Sequence, residues 1–295
     1  MHPKIYGTGV ALVTPFKTDL SIDFDGLTRL INHCIDGEID FLVVMGTTGE
    51  SVTLSNDEKS QVLEHVKKIN DSKLPIVLGI GGNNTSSVIE SFSNYNLDGV
   101  DAILSVSPSY NKPTQEGIYQ HFKAISEKSP LPIILYNVPG RTSSNMSSDT
   151  TLRLANDFDN IIAIKEASGD MSQIMEIINR KPANFNVLSG DDAFSLPLVT
   201  MGGKGVISVL AQGLPKEFST MVSYVLDDNN LDQARDIHYK ILDFVDPLFS
   251  EGNPAGIKKM LKLLKICDDN VRLPLVKASD SIENTIKEGL ANLKS

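Results

Sequence analysis

Lys165 closes the run Ile161-Ile162-Ala163-Ile164-Lys165, four apolar residues leading straight into an amine. Lysine is rarely buried in full without a chemical reason. In an apolar surround its pKa falls, which frees the neutral amine to attack a carbonyl carbon and form an imine. The other reading of this segment is a strand-end lysine whose ammonium reaches out to water. The segment Tyr136-Asn137-Val138-Pro139-Gly140-Arg141-Thr142 places a phenol and a guanidinium five residues apart on a proline-stiffened loop. They offer a proton carrier and a carboxylate clamp. The turn Gly46-Thr47-Thr48-Gly49-Glu50 can bend tightly and aim N–H groups and hydroxyls at a small carboxylate. Ser107-Pro108-Ser109-Tyr110-Asn111-Lys112-Pro113 is a rigid loop that presents Tyr110, either to chemistry or to packing on a neighbour. Ser189-Gly190-Asp191-Asp192 and the glycines around Lys204 complete the set, the latter with the option of seating a phosphate.

These groups need a frame that brings them together. Short apolar runs recur at 9–13, 41–45, 75–79, 102–106, 132–136, 161–165, 186–189 and 205–209, starting about 20 to 35 residues apart. Continuous hydrophobic runs of this kind mark parallel strands buried on both faces. Helix signals lie between them: Ser55-Asn56-Asp57-Glu58 has the form of a capping box, and Pro215 stands at a helix's first position. Eight strand–helix units predict a (β/α)₈ TIM barrel over residues 1–225, with a doubly wound sheet as the competing topology. Residues 226–295 lose the strand signal and predict a C-terminal helical appendage, with helices over 229–250, 254–267 and 279–294. Every candidate group then falls at the C-terminal end of a strand, where such barrels carry function.

Composition narrows the classes. A chain of 295 residues with 41% hydrophobic and 22% charged residues fits one large α/β unit. Its net charge of -10 and lack of a basic block argue against nucleic acid as a partner. No apolar stretch approaches the roughly 20 residues needed to span a bilayer. Met1-His2-Pro3-Lys4 does not read as a secretory leader, and two distant cysteines, Cys34 and Cys267, fit buried thiols in a reducing, cytoplasmic setting. The five histidines have no metal-ligand spacing, so no metal is expected. No dinucleotide or phosphate-loop motif is present, which points away from those cofactors.

At these residues the chain resembles the dihydrodipicolinate synthase family of pyruvate-dependent class I lyases, from about Gly9 to Arg272-Leu273-Pro274. The threonine turn marks the whole superfamily. Tyr136-Asn137-Val138-Pro139 followed by Arg141-Thr142 is sharper and is similar to the synthase branch, and Ile164-Lys165-Glu166-Ala167-Ser168-Gly169 agrees. The resemblance implies condensation of pyruvate with L-aspartate 4-semialdehyde on the route to diaminopimelate and lysine, with no cofactor beyond a covalent imine. It implies that Lys165 forms the imine and that Tyr136, Thr47 and Tyr110 relay protons, Tyr110 reaching into a neighbouring subunit's site. It further implies that Thr48 holds the pyruvate carboxylate, that Arg141 receives the semialdehyde carboxylate, and that Gly190 and the Ile207 carbonyl line the pocket. A homotetramer built as a dimer of dimers is implied as well.

Two other functions compete. One is a different pyruvate-dependent aldolase, such as N-acetylneuraminate lyase or a 2-keto-3-deoxy sugar-acid aldolase. The other is a catalytically silent pyruvate-binding protein on the same scaffold. Arg141 argues against the first, since a sugar acid has no semialdehyde carboxylate to clamp there. The chain also departs from lysine-inhibited members of the family at the positions expected to bind that inhibitor: Ser51, Val52, Asn56, Lys59, Asn83, Ser87 and Ser109. Ser87 stands where sensitive relatives have a glutamate, Ser109 where they have a second tyrosine, and Lys59 replaces a histidine. Weak or absent feedback by lysine is therefore expected, with a looser tight dimer for want of the ring at 109.

Overall fold

The computed structural model describes residues 5–293. Eight parallel strands close into a barrel in sequence order, β1 (Gly7–Ala11), β2 (Phe41–Val44), β3 (Ile76–Gly79), β4 (Ala102–Val106), β5 (Ile133–Asn137), β6 (Ile161–Glu166), β7 (Asn186–Ser189) and β8 (Gly205–Ser208). Closure comes from β1 pairing with β8, Gly7 opposite Gly205 and Val10 opposite Ser208. The doubly wound alternative is thereby excluded. Around the barrel run α1 (Phe24–Asp36), α2 (Asn56–Asn70), α3 (Thr85–Ser91), α4 (Gln115–Ser126), the single turn α5 (Pro139–Thr142), α6 (Ser148–Asp157), α7 (Met171–Arg180), α8 (Ser195–Thr200) and α9 (Pro215–Leu226).

Two apolar layers result. Side chains pointing inward, among them Phe41, Val77, Leu104, Ile134, Leu188 and Ile207, fill the barrel. The outward-pointing residues pack under the helices in a larger core that includes Leu30, Phe122, Ile164 and Phe218. Strands covered on both faces in this way must be apolar at every position, which is why their runs were legible. The capping box of α2 is formed as expected, Ser55 Oγ accepting from the Glu58 N–H and the Glu58 carboxylate from the Ser55 N–H.

Several boundaries differ from the sequence reading. Strand β1 begins and ends two residues early, because the Val13 N–H leaves the ladder for the Gln212 side chain. Strands β5 and β6 each run one residue further, onto Asn137 and Glu166, a polar pair that the ladder tolerates because the Asn137 amide donates to the Glu166 carboxylate. The single helix expected over 229–250 is two, α10 (Leu231–Leu242) and α11 (Val245–Phe249). Pro247 cannot donate to the Asp243 carbonyl four residues back, and the break falls there. The remaining tail helices are α12 (Ala255–Leu263) and α13 (Asp280–Leu293). Helix α12 stops earlier than expected, with Lys265 in the left-handed region at φ 60° and no glycine to announce it. The barrel boundary set after residue 225 lies in the last turn of α9. The tail shares the outer core through Ile241, Leu248, Ile257, Met260 and Ile286.

Candidate active site

The C-terminal ends of the strands open into a cleft of about 900 Å³. Lys165 lies at its base, only 5% exposed, so the reading in which its ammonium reaches water is excluded. Burial pulls its pKa down to about 8, against an opposing pull from the nearby Asp192 carboxylate, and Arg141 adds to the lowering. Tyr136 is its register partner on the adjacent strand, and the amine stands 4.5 Å from the centre of the phenol ring. Burial pushes the Tyr136 phenol up to about 12, while Arg141 and a hydrogen bond with the Thr47 side chain oppose the rise. The phenol therefore stays protonated at neutral pH, and the Thr47 side chain is its hydrogen-bond partner within this chain.

The threonine turn forms two successive single turns of 3₁₀ helix, Thr47–Gly49 and Ser51–Thr53, joined at Glu50. Thr47 is exposed to the cleft and Thr48 is buried. The Asn253 side-chain amide donates to the Thr48 hydroxyl oxygen at 3.0 Å, which leaves the hydroxyl hydrogen available for an acceptor. Arg141 is exposed on α5 and lines the cleft. Its neighbour Thr142 is buried and turned away, its hydroxyl donating to the Ser144 carbonyl at 2.7 Å, so it holds the loop that presents the guanidinium. Gly190 touches the lysine stem: a Cβ there would come within 2.8 Å of Lys165 Cε and of Ala167 Cβ.

Two expected residues lie apart from this group. Tyr110 is 90% exposed at φ 73° and is not among the residues lining the cleft of its own chain. Ile207 belongs to the packed barrel interior and also lies outside the cleft lining. The positions compared for lysine divide. Ser51, Val52 and Lys59 line one end of the cleft, while the Asn83 amide donates to the Ser109 carbonyl at 3.1 Å in the exposed β3–β4 region. Among the described residues no three His, Cys, Asp or Glu side chains are grouped to hold a metal ion.

Residues to which the sequence reading gave no role of their own complete the electrostatics. Asp192 is buried, its Oδ2 accepting from the Val209 and Leu210 N–H groups at 3.2 and 2.9 Å, and burial raises its pKa. Glu166 is buried beside Lys165 in sequence and accepts from Asn137, Ser168 and Gln173, fixing the ends of β5 and β6 where Tyr136 and Lys165 stand. Asn253 comes from the tail and carried no local signal in the sequence.

A desolvated amine, a phenol–hydroxyl pair and a guanidinium at the mouth of a closed (β/α)₈ barrel define an enzyme site suited to carbonyl chemistry. The comparisons with known proteins specify the family. A model of the dihydrodipicolinate synthetase family matches residues 4–293, and the chain belongs to that family. A protein of Flavobacterium psychrophilum named 4-hydroxy-tetrahydrodipicolinate synthase is 54% identical over 280 residues, 95% of each chain. One of the same name from Parabacteroides distasonis is 50% identical over 290 residues, 98% of this chain and 97% of its own. A crystal structure of the Cyanidioschyzon merolae enzyme with lysine bound superposes with a TM-score of 0.93 at 37% identity, over 98% of both chains.

Proposed function

We propose that this protein condenses pyruvate with L-aspartate 4-semialdehyde to give 4-hydroxy-tetrahydrodipicolinate, through an imine on Lys165. The observation that carries the reading is one cleft in which a buried amine with a pKa of about 8 faces a protonated phenol and an exposed guanidinium. At pH 7 that pKa leaves about 300-fold more neutral amine than an unperturbed lysine has.

The neutral amine adds to the pyruvate C2 carbonyl and, with the uptake of one proton, water leaves to give a protonated imine. The imine draws electrons from the methyl group, which loses a proton to become an enamine, and the enamine carbon attacks the aldehyde, whose oxygen takes up a proton. The amino group of the semialdehyde then displaces the Lys165 amine from the imine carbon, which closes the ring and frees the lysine. The iminium is the electron sink, so the reaction as read needs no cofactor. Proton movements pass between Tyr136 and Thr47, a positioned acid–base pair of the kind that contributes roughly 10²–10⁴-fold. Tyr110 extends the relay from a neighbouring copy in a homotetramer, in keeping with its outward presentation. Both substrates are anions and the chain carries a net charge of -10, so their attraction is local. Thr48 takes the pyruvate carboxylate and Arg141 that of the semialdehyde. Gly190 leaves room for the lysine stem.

The relatives named above are synthases over nearly their full lengths, which favours this reading over a sugar-acid aldolase. Steady-state turnover compared across aspartate semialdehyde, N-acetylneuraminate and keto-deoxygluconate tests it. The reading expects the semialdehyde alone to be used well. Arg141→Gln should then raise the semialdehyde KM or lower kcat/KM by about 10- to 100-fold, a charged hydrogen bond being worth about 1.5–3 kcal/mol. Preferred turnover of either sugar acid would overturn it. Among the described residues no helix is long and apolar enough to cross a membrane; a cytoplasmic location is part of the proposal. So is weak or absent inhibition by lysine, since Ser87 supplies no carboxylate for its ammonium and Lys59 adds a like charge.

A further inference from the structure

We propose that the buried ion pair of Glu50 and Lys258 is a positioning device for the reaction, fastening the threonine turn after β2 to helix α12. The inference rests on the reading above, in which Thr47 relays protons and Thr48 holds the pyruvate carboxylate. Glu50 joins the two 3₁₀ turns with its backbone in the left-handed region at φ 50°, a conformation that a non-glycine residue keeps only when its surroundings impose it. Its side chain is 1% exposed. One carboxylate oxygen receives the Lys258 ammonium at 2.5 Å and the other the Arg272 N–H at 2.9 Å. Lys258 is fully buried, donates to the Asn270 carbonyl at 2.8 Å and lies over the Phe16 ring. The same tail reaches the turn a second time through the Asn253 amide on Thr48. Stability does not explain such a pair, because neutral replacement of a buried ion pair is often harmless or stabilising. What the pair supplies is a fixed place for the backbone on which Thr47 and Thr48 sit.

The test compares Glu50→Gln/Lys258→Met with the parent and with Lys262→Ala, a control on an exposed lysine of the same helix. Melting temperature, kcat, pyruvate KM and the extent of borohydride trapping at saturating pyruvate are measured for each. The double variant is expected to melt at or near the parental temperature and to trap pyruvate fully. Its pyruvate KM should rise and its kcat fall by about tenfold or more, since a misplacement of about 1 Å costs up to ~10²-fold. General loosening of the fold would lower trapping as well. Parental kcat and KM in the double variant overturn the proposal. Should it not fold, Glu50→Asp decides: the charge is kept but the reach shortened, and unchanged kinetics sink the idea. Failure of the parent itself to trap pyruvate overturns the underlying reading, and is seen separately in the same experiment.

Discussion

Tyr136 and Lys165 are opposed on neighbouring strands of the barrel, and the lysine amine stands 4.5 Å from the centre of the tyrosine ring. The ring and the hydroxyl of Tyr136 therefore do different things. The ring faces the nitrogen that becomes cationic as the imine forms, an attraction worth up to about 2 kcal/mol when desolvated. The hydroxyl is hydrogen-bonded with the Thr47 side chain, where the proposed proton relay would run. Tyr136→Phe should keep the ring, so it should still trap pyruvate on borohydride reduction while kcat drops by roughly 10²–10⁴-fold. Tyr136→Ala should lose trapping efficiency too. Equal trapping and turnover losses in Tyr136→Phe would show that the hydroxyl acts before the imine.

The pH dependence follows from the amine. Lys165 must be neutral to attack, so kcat/KM for pyruvate should rise with pH through a midpoint near 8 and then level off. The Asp192 carboxylate holds that midpoint up. Asp192→Asn keeps an oxygen for the Val209 and Leu210 N–H groups but removes the charge, so the midpoint should move to lower pH. A midpoint that stays or rises in this variant contradicts the assignment of Asp192 as the opposing charge.

Gly190 tests the packing around the amine. Gly190→Ala would place a methyl group 2.8 Å from Lys165 Cε, closer than real contacts allow, so the stem must shift. Trapping by pyruvate should slow by at least about tenfold, in line with the cost of small misplacements, while the circular-dichroism spectrum and melting temperature stay near parental. Unimpaired trapping would mean the stem has more room than the structure gives it.

Lysine feedback is the prediction that rests on what the chain lacks. The glutamate expected at position 87 would form a charge-assisted bond to lysine's ammonium worth roughly 1.5–3 kcal/mol. Ser87 cannot form it. Steady-state rates should be unaffected by sub-millimolar lysine, and clear inhibition in that range would contradict the reading. Serine-to-glutamate exchange at Ser87 combined with Lys59→His should raise sensitivity.

Much of this was legible in the chain because of how each feature is encoded. Parallel strands covered on both faces must be continuously apolar, so the eight runs stood out and their order implied the barrel. Lys165, Tyr136, Thr47, Thr48 and Arg141 sit at strand ends or in short loops after them, where a local motif and a spatial position coincide. The missing features depend on distant residues. Asn253 reaches Thr48, and Lys258 reaches Glu50, across about two hundred residues of sequence. Neither carries a local pattern, and Lys258 lies in a stretch of lysines that reads as a solvated helix face. Asn137 and Glu166 extended their strands against the apolar rule because each satisfies the other. The tail was legible as helices, but its hold on the threonine turn was not.

The central claim is that Lys165 is the nucleophile. Incubation with pyruvate and borohydride, followed by peptide mass spectrometry, tests it most directly. One site per chain should gain the mass of pyruvic acid less one oxygen, on the peptide carrying Lys165, and Lys165→Met should abolish the addition while the protein stays folded. No addition, or addition at another lysine with Lys165 unmodified, contradicts the account.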